Sequence, residues 1–176
     1  MRKPSTILVA YASGFGTTAE VAQTIAEEMS VEGTVVDARP IADVRGLDRY
    51  DAVIIGSAIR YDKWLPEATA FVSSNQVALA KRPVAFFFTC LALSVEGEKS
   101  KRQGQVYADR LSTLFPLVEP AGIGRFAGVL DYSKIPLLPR LAAKFVFAFL
   151  GVKEGDHRNW PAIRSWANST NIQLSN

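Results

Sequence analysis

The sequence predicts an α/β fold built on a doubly wound parallel sheet with helices on both faces. Three observations carry this prediction. Apolar runs of strand length alternate with helix-period segments along the chain. The runs are nearly continuous rather than alternating, the pattern of strands buried on both faces. A turn rich in glycine and hydroxyl residues follows the first run and opens the first helix, where sheets of this class bind ligands.

The elements follow in order. TILVAY, residues 6–11, is a short buried strand. From Thr18 to Met29 the apolar residues Val21, Ala22, Ile25, Ala26 and Met29 recur at three and four, with Glu20, Glu27 and Glu28 opposite, so a helix packs one face on the sheet. Gly33 breaks the chain before TVVDA, and YDAVIIGSA, residues 50–58, is a third strand ending in small residues. A helical stretch LPEATAFVSS leads to RPVAFFFT, residues 82–89, the fourth strand. The polar segment LSVEGEKSKRQG, residues 93–104, reads as a loop before a helix carrying Tyr107, Leu111, Leu114 and Phe115 on one side. GRFAGVLDY supplies a fifth strand, and NWPAIRSWA a last helix with Asn159 as cap and Pro161 in the first turn, where its missing N–H costs little.

Composition narrows the function. With 176 residues and 48% hydrophobic content, one compact domain with a real core is expected over residues 1–176. MRKPST leads straight into a strand rather than a signal peptide, and no apolar stretch reaches the roughly 20 residues of a spanning helix, so a cytoplasmic protein is expected. Cys90 is the only cysteine and His157 the only histidine, which argues against a disulfide or a metal site. A net charge of +3, scattered among acids, gives little case for nucleic acid but suits an anionic membrane surface or a polyanionic small molecule.

The glycine turn is YASGFGTT, residues 11–18. Gly14 and Gly16 let backbone wrap an anion at a helix N-terminus. Two phosphates fit. Gly14 to Ala19 matches the G-x-G-x-x-G/A dinucleotide pattern, with Asp37 near the place of a ribose-binding acid. Ser13, Thr17 and Thr18 instead surround the glycines with hydroxyls, which suits a terminal phosphate monoester better than a pyrophosphate. A triphosphate-binding P-loop is excluded because no Gly-Lys-Ser/Thr follows, and a plain turn is the third reading.

YASGFGTT resembles the phosphate loop of flavodoxin-type FMN proteins. That resemblance implies a flavodoxin-like sheet of order 2-1-3-4-5, FMN as cofactor, and phosphate contacts from Ser13, Gly14, Phe15, Gly16, Thr17 and Thr18, with Phe15 replacing a hydroxyl residue and retaining its backbone N–H. GSAIRYDKW is similar to the G-S-P-I-R-Y segment of the menaquinone-dependent protoporphyrinogen dehydrogenase family, with Ala58 in place of the proline. AFF at 85–87, FAGVLDY at 126–132 and D-x-R-x-W-x-x-I-x-x-W-A at 156–167 extend the likeness over nearly the whole chain.

An isoalloxazine ring needs flat apolar partners, and the loops after the third and fourth strands are its expected neighbours. They offer Ser57, Ala58, Ile59, Arg60, Tyr61 and Trp64 on one side, and Thr89, Cys90, Leu91 and Ala92 on the other. For Tyr61 and Trp64 the plainer reading is a hydrophobic lid, for Cys90 a small core residue, and for His157 a solvated turn residue. No side chain is needed as acid or base, because the flavin carries the chemistry.

KIPLLPRLAAKFVFAFLGVK, residues 134–153, is an insert before the last helix. Leu137, Leu138, Leu141, Phe145, Val146 and Phe149 can share a face, while Arg140 and Lys144 point elsewhere and Lys134 and Lys153 flank the segment. Interfacial helices on anionic lipid have this pattern, and packing on the protein's own sheet or in a homodimer are the alternatives. In the resembled family the extra segment lies on the membrane and substrate side of the flavin. The resemblance thus implies oxidation of protoporphyrinogen IX, a tetrapyrrole, with a quinone as acceptor. A flavodoxin-type carrier serving a redox protein, an NAD(P)H-dependent quinone reductase and a flavin-free interaction module are the rival functions; the positive charge counts against a carrier that docks on basic partners.

Overall fold

The computed structural model describes residues 4–31, 33–134, 137–149 and 151–175. Its strands and helices run β1 (Thr6–Ala12), α1 (Thr17–Met29), β2 (Val35–Pro40), β3 (Ala52–Arg60), β4 (Lys63–Trp64), α2 (Pro66–Leu79), β5 (Val84–Cys90), α3 (Glu98–Leu114), β6 (Ile123–Ala127), β7 (Val129–Leu130), α4 (Leu137–Phe149), β8 (Gly155–Asp156) and α5 (Trp160–Gln173). Five strands are parallel, in the order β2-β1-β3-β5-β6. Counted among themselves they follow the expected 2-1-3-4-5. The additional strands are short: β4 turns back on β3, and β7 pairs antiparallel with β8.

The continuous apolar runs are explained by two cores, one on each sheet face. Leu8, Val53, Ile55, Phe86 and Phe88 face α2 and α3 together with Leu111 and Phe115. Ile7, Val9, Ile54, Ala85 and Phe87 face the other way, toward Val21 and Ile25 of α1 and Ile163 and Ala167 of α5. Every residue of β5 is buried, and its alternate side chains feed the two cores in turn. Gly56 is required by the same packing: a Cβ there would stand 1.9 Å from the Phe87 ring, which lies across it from the neighbouring strand.

Two boundaries differ from expectation. The segment read as a loop over 93–104 is helical from Glu98, because Glu, Lys, Arg and Gln are good helix formers and the first turns of α3 stand in solvent without needing an apolar stripe. Leu114 does not share the buried side of that helix; it is 46% exposed, and Phe115, just past the helix end, takes the core position. α2 also runs on to Leu79, which is fully buried.

Residues 135, 136 and 150 of the insert lie outside the described residues, as does the side chain of Pro139. The described part forms α4, which is not laid on the main sheet. Ala143 and Phe147 pack on Leu130, Tyr132 and Val152 beside the β7–β8 pair, with Leu91 from the end of β5. The opposite face is open: Leu138 is 93% and Phe149 91% exposed, and Leu137, Leu141, Phe145 and Val146 are exposed too. No helix among the described residues is long and apolar enough to cross a membrane.

Candidate functional site

The turn between β1 and α1 lies at the carboxyl edge of the sheet. Gly16 caps α1 in the left-handed region (φ 89°), and no side chain bonds the amides of the first turn. Those N–H groups have no intrahelical acceptor, since the first bond of the helix runs from Glu20 N to Gly16 O (3.1 Å). Space is open where a Cβ would stand at Gly14 and at Gly16. Ser13 Oγ is buried and finds no hydrogen-bond partner among the described residues. Free amides, a positive helix end and an unused hydroxyl make an arrangement able to hold an anion.

Thr17 is half-buried at the helix start, whereas Thr18 is fully buried and its hydroxyl lies 2.8 Å from that of Thr89 on β5. Thr18, expected at the phosphate, and Thr89, expected beside the ring, are thus a buried pair tying the loop to the central strands. Phe15 projects outward, 50% exposed, with the Arg60 guanidinium 5.7 Å from its ring centre.

Two cations distant in sequence close on this turn. Arg158, with only 7% of its side chain exposed, pairs with Glu20 (2.8 Å) and Asp156 (2.7 Å), lies 4.3 Å from the centre of the Trp160 ring, and donates to the Thr17 carbonyl at 3.4 Å. The Arg158 hydrogen bonds outweigh partial burial and hold the Asp156 carboxyl below the usual range. The D-x-R-x-W motif is therefore a brace from β8 and α5 onto the start of α1. Lys134, expected at a lipid-facing flank, is exposed and donates to the Phe15 carbonyl at 3.1 Å.

The loop after β3 separates residues that the sequence grouped together. Tyr61 (φ 50°) and Asp62 (φ 59°) form a tight two-residue turn in which Arg60 pairs with Lys63. Tyr61 stands 87% exposed at the tip, with the Arg60 guanidinium 5.6 Å from its ring centre. Non-glycine residues in this region carry strain, and Asp62 is held from α3 by the Tyr107 hydroxyl on its carboxylate and by Arg110 on its carbonyl. Burial first, then the bond to Asp62, push the Tyr107 phenol well above its usual range.

Trp64 corrects the expectation that it lines a flavin. The turn reverses the chain so that Trp64 faces the core, 5% exposed, its ring centre 5.4 Å from Phe86 and 6.0 Å from Phe115. Ser57 is likewise internal: its hydroxyl accepts from Leu65 N (3.0 Å) and donates to Ala58 O (2.9 Å), bracing the start of α2. Ala58 and Ile59 are half-buried against the same core. After β5, Leu91 packs toward α4 and Ala92 is exposed. Cys90 is 6% exposed; burial pushes its thiol up, and its sulfur accepts from Ala92 N at 3.4 Å, the setting of a small core residue rather than a reactive thiolate. His157 is a turn residue whose ring bonds the Lys153 carbonyl at 2.7 Å.

Asp37, the ribose candidate of the dinucleotide reading, is already engaged. Burial raises its pKa, but hydrogen bonds from Arg39 and Tyr50 and the charges of Arg39 and Arg49 outweigh this and hold it below the usual range. The open cleft it shares with Arg39, Arg49, Tyr50 and Thr6 lies toward the start of β1, whereas the glycine turn follows the strand's other end. No cluster of residues suited to a metal occurs among those described.

Residues 8–156, which include the glycine turn, β3, β5 and the excursion through α4, match the flavodoxin domain family. The chain belongs to that family. Similar proteins include one from Leishmania major, named protoporphyrinogen IX dehydrogenase [quinone], 27% identical over 91% of this chain and 72% of the relative. A protein of the same name from Escherichia coli K12 is 27% identical over 94% of this chain and 91% of its own length. In structure, oxidised flavodoxin 2 from Bacillus cereus superposes with a TM-score of 0.56 at 19% identity, covering 95% of this chain and 98% of the other. The order of its parallel strands is thus that of a flavodoxin domain, and the domain supports a flavin cofactor and an oxidoreductase.

Proposed function

We propose that this chain, a single flavodoxin-like domain over residues 1–176, binds FMN noncovalently and oxidises a reduced tetrapyrrole of the protoporphyrinogen IX type with a quinone, menaquinone or a relative, as acceptor. The observation that carries the reading is the β1–α1 turn, where open glycines, uncapped amides and the unpartnered Ser13 hydroxyl stand inside a flavodoxin domain. The two dehydrogenases similar over more than nine-tenths of the chain support the choice of substrate and acceptor.

In this reading Ser13 and Thr17 give hydroxyls to the phosphate, and Gly14, Phe15 and Gly16 give backbone. Thr18 and Thr89 support the turn from beneath. Exposed Tyr61, with Arg60, flanks one side of the ring, and Leu91 and Ala92 bound the other. FMN, when bound, supplies the redox chemistry at its ring N5, so the protein's work is to bind, orient and limit access of water. The α4 face then meets an anionic membrane. Exposed leucines and phenylalanines, with Arg140, Lys144 and Lys153 nearby and no carboxylate between 134 and 153, suit the boundary where quinone and an apolar macrocycle dissolve.

The visible spectrum of the protein titrated with FMN, followed by anaerobic photoreduction and addition of a menaquinone analogue, tests this. A saturable flavin shift, rapid reoxidation and formation of fluorescent porphyrin from protoporphyrinogen IX are expected. Absence of any flavin shift would overturn the cofactor; bound flavin with sluggish quinone reaction would replace the dehydrogenase with an electron carrier.

A further inference from the structure

We propose that Lys134 is the cationic partner of the cofactor phosphate, delivered to the loop by the short helical turn Tyr132–Lys134. The inference rests on the FMN reading above and adds to it a binding residue on a part of the chain outside the glycine turn.

The charge balance of the turn calls for such a group. A phosphate monoester carries about −1.5 to −2 near neutral pH, whereas a helix N-terminus supplies only about +0.5. The first turn of α1 also contains an acid, Glu20, which works against an anion there. Three cations surround the site, and geometry separates their roles. Arg158 is buried, with its guanidinium spread over Glu20, Asp156 and the Thr17 carbonyl, so its charge offsets those acids. Arg60 sits over the faces of Phe15 and Tyr61. Lys134 alone of the three brings an ammonium to the Phe15 backbone, between the two glycines, and forms no salt bridge among the described residues.

The chemistry of the contact fits a ligand. An ammonium has three donors, and the bond to the Phe15 carbonyl uses one, leaving donors for phosphate oxygens in the same turn. The side chain is exposed, so it shifts by a rotamer change without disturbing the core. Lys134 closes the short helical turn Tyr132–Lys134, whose Tyr132 ring packs in the cluster that carries Phe147 of α4. A phosphate held by Lys134 therefore ties the base of α4 to the cofactor.

The test measures dissociation constants of FMN and of riboflavin, which lacks the phosphate, by quenching of flavin fluorescence at low and high salt. It compares wild type, Lys134→Met and Lys134→Arg, with inorganic phosphate as competitor. Lys134→Met is expected to weaken FMN about tenfold, as for loss of one charge-assisted hydrogen bond, and to leave riboflavin and the melting temperature unchanged. The salt dependence of FMN binding and competition by inorganic phosphate shrink with it, and Lys134→Arg recovers most of the affinity. Equal FMN affinity in wild type and Lys134→Met overturns the proposal alone. Equal losses for both flavins also overturn it, since Lys134 then merely braces the turn. A wild type that binds neither flavin overturns this assignment together with the FMN function.

Discussion

Helices α1 and α4 are each thirteen residues long and amphipathic, yet they treat their apolar faces in opposite ways. Val21, Ala22, Ile25 and Met29 of α1 are fully buried, whereas the leucines and phenylalanines of α4 stand largely in the open. Spacing states that a helix has an apolar face; the chain path decides what covers it. α1 follows β1 and packs against the sheet and α5. α4 departs from the β7–β8 pair, where a small cluster occupies only Ala143 and Phe147 of its circumference.

The largest expected effect breaks that comparison most directly. Ile25→Ala should cost about 3 kcal/mol in urea unfolding, the usual cost of truncating a fully buried aliphatic side chain, while Phe149→Ala should stay within about 0.5 kcal/mol. An equal loss at Phe149 would mean that α4 is covered in solution, as in a homodimer. Next comes the brace that fastens β8 and α5 to the start of α1. Arg158→Met should lower stability by about 2 kcal/mol, less than for a fully desolvated pair because Glu20 and Asp156 regain water once the arginine is gone. If α4 meets anionic lipid as proposed, a smaller change is expected for Leu138→Ser with Phe145→Ser: about tenfold weaker sedimentation with anionic liposomes, roughly 1.4 kcal/mol, at an unchanged melting temperature, because both side chains are exposed and no internal contact is lost.

The smallest effect is read by pH. Asp51 accepts hydrogen bonds from Ser5 and Thr6, which hold its carboxyl down at about 2 and fasten the start of β1 to the residue before β3. A carboxyl lowered in the folded state gives stability that is complete above its ordinary pKa, about 3.9, and is lost as pH falls toward 2. Asp51→Asn should therefore flatten the stability profile between pH 4 and 2. Residues 137–149 contain no carboxylate, so the α4 segment adds no such dependence there.

The strands were legible because the central runs of β1, β3 and β5, residues 7–10, 52–55 and 84–88, are buried on both faces and contain no polar residue to confuse the period. The α1 turn was legible because glycines and hydroxyls occur together at one strand tip. The start of α3 was not, since its first turns carry charge all round and helix propensity outweighed the loop-like composition of EKSKRQG. Trp64 was misplaced because a two-residue turn reverses the direction of side chains, and only a paired β4 reveals it. Arg158 and Lys134 were invisible as partners of the glycine turn, being 141 and 119 residues from the carbonyls they bond. What brings them back is the path of β7, β8 and α5, which no local pattern specifies.

That path has a consequence for how such a chain can change. Leu130 and Gly155 lie opposite one another in the small β7–β8 pair, so the excursion that carries α4 begins and ends at a single doorway beside the main sheet. The entropy of closing an excursion grows only slowly with its length. Segments of other lengths and surfaces can therefore be exchanged at this doorway with little strain on the five strands behind it, and a lineage can change what this flank of the molecule meets without redesigning the scaffold.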